Sequence, residues 1–211
     1  MHLFVAETTE SGSRPERSTV DNFVRAAYRF RYTRECHVQR GPDGKPALLS
    51  SEGDPLRRHC SISHTRNWLA CVFAENVPVG VDIEVARPRN YVTTGTWFFG
   101  AELGERLTDA PPESQRQLFY QAWTAYEALY KCGVNKRRGM APLLPGATRD
   151  NASRIALRWL LGPQELLGCV AMLNETEAPM AVAVLRQDGA GFTADPRWRD
   201  APVIRSAGDD P

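Results

Sequence analysis

Two acids sit two residues apart in the run Val79-Gly80-Val81-Asp82-Ile83-Glu84, which otherwise reads as a buried strand. Side chains alternate along a strand, so Asp82 and Glu84 share one face while Val81 and Ile83 point into a core on the other. Two ionised carboxylates that close repel unless a cation lies between them, and hard oxygen donors select Mg²⁺ or a similar ion over softer metals. A third acid lies in Trp123-Thr124-Ala125-Tyr126-Glu127-Ala128-Leu129-Tyr130-Lys131. From Pro112 to Lys131 the chain has no internal Pro or Gly, and Leu118, Ala122, Ala125 and Leu129 recur at helical spacing, which predicts a helix. Trp123, Glu127 and Lys131 are four apart and line one face of it, with the ammonium one turn beyond the acid. Taken alone, Glu127 and Lys131 read as an ordinary surface ion pair beside a core Trp. With Asp82 and Glu84 in the same chain, the reading shifts to a metal site.

Five short motifs in order carry a resemblance to a known family. Gly44-Lys45-Pro46 is followed by Ser61-Ile62-Ser63-His64-Thr65, then by Gly80-Val81-Asp82-Ile83-Glu84, then by Trp97-Phe98-Phe99 with Glu102 shortly after, and last by the helix from Trp123 to Lys131. Each is weak alone, but the ordered set, over roughly residues 25 to 185, resembles the 4′-phosphopantetheinyl transferases, specifically the longer monomeric branch of the holo-carrier-protein synthase superfamily. One position departs: where the family usually has Lys before the helix acid, this chain has Tyr126, which can donate one hydrogen bond but brings no positive charge. Lys136, Arg137 and Arg138 follow the helix closely and offer replacement charge.

The resemblance implies an α+β fold of two similar, pseudo-duplicated halves, each a small antiparallel sheet packed with a long helix, and an active site between them. The expected division is residues 1–95, carrying coenzyme A phosphate contacts and the first acidic motif; 96–187, carrying Glu127 and Lys131; and 188–211, an appended tail. It also implies transfer of 4′-phosphopantetheine from coenzyme A to a serine of an apo acyl, peptidyl or aryl carrier protein, with Mg²⁺ as cofactor and 3′,5′-ADP released. Asp82, Glu84 and Glu127 would then hold Mg²⁺ against the pyrophosphate, withdrawing charge from the phosphorus under attack. Glu127, or a water it orients, would take the serine proton, and Lys131 would protonate or neutralise the departing phosphate. Lys45, Ser63 and His64 are carried over as coenzyme A contacts, and Arg25 and Arg31 of the first predicted helix as further ones. Plainer readings exist for the first three: a solvated turn lysine, a capping serine and a core histidine.

Bulk properties fit a compact enzyme. The chain has 211 residues, 42% hydrophobic and 24% charged, enough for one sizeable core or two small ones. With 26 Lys and Arg against 25 acids, no general field draws it to nucleic acid or membrane, so anion binding must be local. Five scattered cysteines without a Cys-x-x-Cys pair predict reduced thiols and a cytoplasmic protein, and no apolar stretch approaches the roughly twenty residues a membrane helix needs. Cys60, His59 and His64 lack a second cluster to complete a metal site.

Along the chain, a short strand is expected at Leu3 to Ala6 and a helix over residues 20 to 36 with an apolar stripe of Val20, Phe23, Val24, Ala27 and Phe30. Gly41 to Gly44 reads as a turn, Leu48 to Leu56 as loop, and Cys60 to Ile62 as the start of a strand. Trp68 to Ala74 and Pro78 to Glu84 are expected to form one hairpin, and Leu167 to Leu173 with Met180 to Leu185 another, after a strand at Arg154 to Leu160. Two further functional classes stay open on these residues: a non-catalytic relative that binds coenzyme A or carrier protein, and a metal-dependent phosphohydrolase. The chain has neither a Gly-x-x-x-x-Gly-Lys-Ser/Thr phosphate loop nor a Gly-x-Ser-x-Gly turn, which removes nucleoside triphosphatases and serine hydrolases of those types.

Overall fold

The structure is a computed structural model that describes residues 1–9, 15–42, 44–134, 155–162, 164–173, 180–195 and the backbone of 204–206. The expected basic segment at Lys136, Arg137 and Arg138 lies outside the described residues. Fifteen elements follow in order: β1 (His2–Glu7), α1 (Arg17–Tyr32), β2 (His37–Arg40), β3 (Pro46–Leu49), β4 (His59–Thr65), β5 (Trp68–Ala74), β6 (Val79–Val85), α2 (Tyr91–Phe99), α3 (Ala101–Asp109), α4 (Pro112–Lys131), β7 (Ile155–Leu161), β8 (Leu166–Leu173), β9 (Ala181–Asp188), β10 (Gly191–Ala194) and β11 (Ile204–Ser206). This is an α+β arrangement.

A five-stranded sheet in the order β10-β9-β1-β5-β4 lies against a four-stranded sheet in the order β11-β7-β8-β6. Among the described residues only β1 and β9 pair in parallel, and the other ladders of these two sheets are antiparallel. Between the sheets lies one core, built from Leu3, Val5, Ala70 and Val72 on one side and Val81, Ile83, Val170 and Met172 on the other. A second core, under α1, joins Phe23, Val24 and Ala27 to Phe4, Leu69 and Phe73. A third, under α2, α3 and α4, joins Phe99, Leu107, Phe119 and Ala125 to Trp159, Cys169 and Ala171. The layers are therefore helix, sheet, sheet, helices.

Both expected hairpins are corrected. β5 pairs with β1 and β4, whereas β6, next in sequence, pairs with β8 in the other sheet. β8 likewise pairs with β6 and β7, while β9 joins β1 and β10. All seven residues of β5 are buried: covered on both faces, it is an interior strand needing a neighbour on each edge. Asn76, with φ of 62°, turns the chain in the connection from one sheet to the other. Each sheet thus takes a strand from the other half of the chain.

Smaller differences have local causes. α1 starts and ends earlier than expected, closing at Thr33 in the left-handed region, whose N–H donates to the Arg29 carbonyl. Its buried stripe takes Tyr28, while Phe30 lies at the stripe's border, 59% exposed with its ring edge-on to Phe4 at 6.0 Å. The expected loop at Leu48 begins inside β3, which pairs with β2 across the Gly41–Gly44 turn. Two helices, α2 and α3, fill residues between the acidic strand and α4. Residues 191–194 and 204–206, within the stretch expected as a tail, add strands to β9 and β7.

Helix and sheet backbones come into direct contact at Gly80, where α4 crosses β6: a Cβ added there would stand 1.9 Å from the Ala128 carbonyl oxygen. Backbone cannot yield as a side chain can, so Gly80→Ala should push α4 off the sheet and cost about 3 kcal/mol, read as a lower urea midpoint with unchanged slope. Wild-type stability in that variant would refute the close crossing.

Candidate active site

The acids are placed by a seam between the sheets. β4 and β6 are edge strands of different sheets, so the outward N–H groups of β6 have no ladder partner. Hydroxyls of β4 supply one: Ser61 accepts from the Val81 N–H at 3.1 Å, Ser63 from Ile83 at 3.3 Å and Thr65 from Val85 at 3.4 Å. Their protons go on to the carboxylates. Ser63 donates to Asp82 Oδ1 at 2.8 Å, and Thr65 donates to Glu84 Oε2 at 3.1 Å.

Lys131 closes the site from the end of α4. Its Nζ donates to Asp82 Oδ1 at 2.8 Å and to the Val81 carbonyl at 3.0 Å. The expected alternative of a Glu127–Lys131 ion pair is therefore not what the side chain makes: its carboxylate partner is Asp82. Asp82 is buried, and its Oδ2 has no hydrogen-bond partner among the described residues. Burial, and then the Asp82 charge, push the Glu84 carboxyl above its usual range, against the Thr65 hydrogen bond and the cations Arg87 and Arg89. Glu127 is raised for the same two reasons, countered by Lys131. Each Glu thus feels Asp82, yet among the described residues no three His, Cys, Asp or Glu side chains stand close enough to form a metal cage. By chemistry the donor set still fits a hard divalent cation: three carboxylates, crowded enough to raise two of them, and one buried oxygen left without a donor.

Lys131 also lines a cleft of about 730 Å³ bounded by Lys45, Arg40, Arg58, Ser61 and Tyr130. The structure thereby brings Lys45 and Lys131 to one cavity, and Ser63 to Asp82. His64 is elsewhere: alternation turns it away from Ser63, into a recess with Arg17 and Arg40. Arg25 and Arg31 line neither space. Arg25 borders a shallow recess with Asn22 and Glu35, and Arg31 sits 5.1 Å from the centre of the Tyr32 ring. Tyr126 packs into an aromatic group, its ring 5.2 Å from Phe98 and 6.0 Å from Phe99. Trp123, on the same face as Glu127 by spacing, joins that group through Phe98 at 4.9 Å.

Sequence reasoning missed Ser61, Thr65, Arg40, Arg58 and the Arg87–Arg89 pair. For the hydroxyls a signal existed: Ser61, Ser63 and Thr65 repeat every second residue, as do Gly80, Asp82 and Glu84. Arg58 carried none, since what fixes it is tertiary: the Tyr32 ring at 4.0 Å and the Glu75 carboxylate.

Comparison with known proteins agrees with this architecture. The family model of the 4′-phosphopantetheinyl transferase superfamily matches residues 78–183, from the acidic strand through α4 to β9. A putative 4′-phosphopantetheinyl transferase of Synechocystis sp. is 30% identical over 109 residues, covering 50% of this chain and 43% of that protein. The 4′-phosphopantetheinyl transferase AcpT of Salmonella typhimurium is 35% identical over 92 residues, 43% of this chain and 46% of its own. The 4′-phosphopantetheinyl transferase psf-1 of Bacillus pumilus is 32% identical over 127 residues, 60% and 52%. The chain spans about half the length of these curated relatives. It belongs to the 4′-phosphopantetheinyl transferase superfamily.

Two outcomes follow for the unliganded protein. Lys131→Met leaves the Asp82 charge buried without its cation and should cost about 3 kcal/mol in urea, while Asp82→Asn in the same chain should restore most of it; strictly additive losses would mean that the two side chains are not coupled. Glu84 and Glu127 titrate above the ordinary 4.5, so as pH falls the folded chain binds their protons before the unfolded one. Their contribution to stability therefore rises on acidification from the raised values down to about 4.5, then levels off. Replacing both by Gln should flatten Tm against pH in that window, and an unchanged profile would contradict the shifts.

Proposed function

We infer that this chain is a 4′-phosphopantetheinyl transferase of the holo-acyl-carrier-protein synthase type, moving phosphopantetheine from coenzyme A to a serine of an apo acyl, peptidyl or aryl carrier protein. The observation that carries this reading is the contact of Lys131, which lines the cationic cleft, with Asp82 of the acidic strand. Coenzyme A presents a pyrophosphate and a 3′-phosphate, and the cleft offers Lys45, Arg40, Arg58 and Lys131 to them. In this reading residues 1–95 hold the phosphates and the first two acids, residues 96–187 bring Glu127 and Lys131, and the site lies between two similar halves. Ser63, His64, Arg25 and Arg31 remain proposed coenzyme contacts by family likeness; none of the four lines the cleft itself, and the His64 recess shares Arg40 and Ile62 with it.

Asp82, Glu84 and Glu127 would hold Mg²⁺, which when bound supplies positive charge at the pyrophosphate. The chain's own groups do the rest. As the serine oxygen bonds to the pantetheine phosphate, the bond from that phosphorus to 3′,5′-ADP breaks and its electron pair leaves with the nucleotide. Glu127, or a water it orients, takes the serine proton. Lys131, at the cleft and one turn beyond Glu127, would set its ammonium against the departing phosphate. The protein acts as a cytoplasmic monomer in carrier activation for fatty-acid or secondary-metabolite synthesis; among the described residues no helix is long and apolar enough to cross a membrane.

One observation favours a second reading. Tyr126, where the family usually has Lys, is spent on aromatic packing against Phe98 and Phe99 and gives the phosphates no charge, as in a relative that binds without turnover. Incubating the protein with coenzyme A, Mg²⁺ and several apo carriers and weighing the carriers decides between them. A mass gain of one phosphopantetheine, lost by about a hundredfold or more in Glu127→Gln, is the expected result. Coenzyme binding without mass gain would establish the non-catalytic relative, and coenzyme cleavage without a carrier would establish a phosphohydrolase.

A further inference from the structure

The geometry points to Thr65 as the positioning residue for Glu84: its buried hydroxyl aims the carboxylate at the acid site, so that cation affinity depends on a side chain that touches no ligand. This rests on the reading of Asp82, Glu84 and Glu127 as a metal site. Thr65 is 7% exposed, and its hydroxyl has both roles filled: it accepts from the Val85 N–H at 3.4 Å and donates to Glu84 Oε2 at 3.1 Å. With one lone pair taken by backbone, the hydroxyl's single proton goes to Glu84. A β-branched side chain on a strand has few χ1 states, so the donor direction is set by the β4 backbone.

The seam contains its own comparison. Ser61, Ser63 and Thr65 all accept from β6 N–H groups, but only the last two face an acid. Opposite Ser61 stands Gly80, which has no side chain to hold. Removing the Ser61 hydroxyl therefore removes a strand-to-strand hydrogen bond alone, whereas removing that of Thr65 removes such a bond together with the hold on Glu84. Groups that orient a metal's ligands without touching it typically change affinity by about 10–100-fold.

Calorimetric titration of Mg²⁺ into the full chain saturated with coenzyme A, with Tm recorded in parallel, tests this. Thr65→Val should weaken Mg²⁺ binding by about tenfold or more and Thr65→Ser should keep it near wild type, while Thr108→Val, which removes a hydroxyl that donates to the Gly104 carbonyl within α3, should leave Mg²⁺ affinity in place. Thr65→Ala carries the same test if the valine variant does not fold. Wild-type affinity in Thr65→Val or Thr65→Ala, or an equal loss in Thr108→Val or in Thr65→Ser, would overturn the proposal while leaving the metal site standing. A wild-type chain that takes up no Mg²⁺ at all would instead bring down the metal reading, and this inference with it.

Discussion

The seam between β4 and β6 is the constraint on which the site depends. Two sheets that meet at their edges leave a row of backbone N–H groups without ladder partners, and a buried donor left so costs about 1–3 kcal/mol. This chain closes the row with side-chain hydroxyls in place of a continuous ladder, at Ser61, Ser63 and Thr65. A hydroxyl that accepts from backbone still has a proton to give, and Ser63 and Thr65 give theirs to Asp82 and Glu84. Docking the sheets and aiming the acids are thus one set of hydrogen bonds. A slip of one residue between β4 and β6 would turn the hydroxyls away and undo both.

Charge is the second consequence. Asp82 is buried beside Glu84 and within the influence of Glu127, an arrangement that raises both Glu carboxyls. Lys131 offsets part of that repulsion by standing on Asp82. It reaches there only because α4 lies directly on β6 at Gly80, so the residue without a side chain lets the helix bring in both Glu127 and its neighbouring cation. The other face of the same strand, Val81 and Ile83, is buried between the sheets. Alternation along one strand therefore divides the core from the chemistry.

The aromatic group beneath α2 explains where Tyr126 goes. Phe98 and Phe99 on α2 meet Trp123 and Tyr126 on α4, and a long cation in the place of Tyr126 would have to leave that packing to reach solvent or ligand. The cost of the departure is electrostatic and its return is packing. The cationic side chains Arg40, Lys45, Arg58 and Lys131 line the cleft instead.

Much of this was legible in the residue order. Period-two acids on an apolar strand, helical spacing through Leu129, and an N-terminal Pro112 gave β6 and α4 nearly to their ends, because alternation and the 3.6-residue repeat are local properties. Partners were not legible. The apolar runs of β5 and β8 are those of strands covered on both faces, but an apolar surface carries no address, and adjacency in sequence suggested hairpins where the fold sends consecutive strands to different sheets. Nor could spacing tell that Lys131 serves Asp82 rather than Glu127, four residues away on the same helix. A helical repeat fixes which residues share a face; only the packing of that face against another strand decides which charge lies within reach.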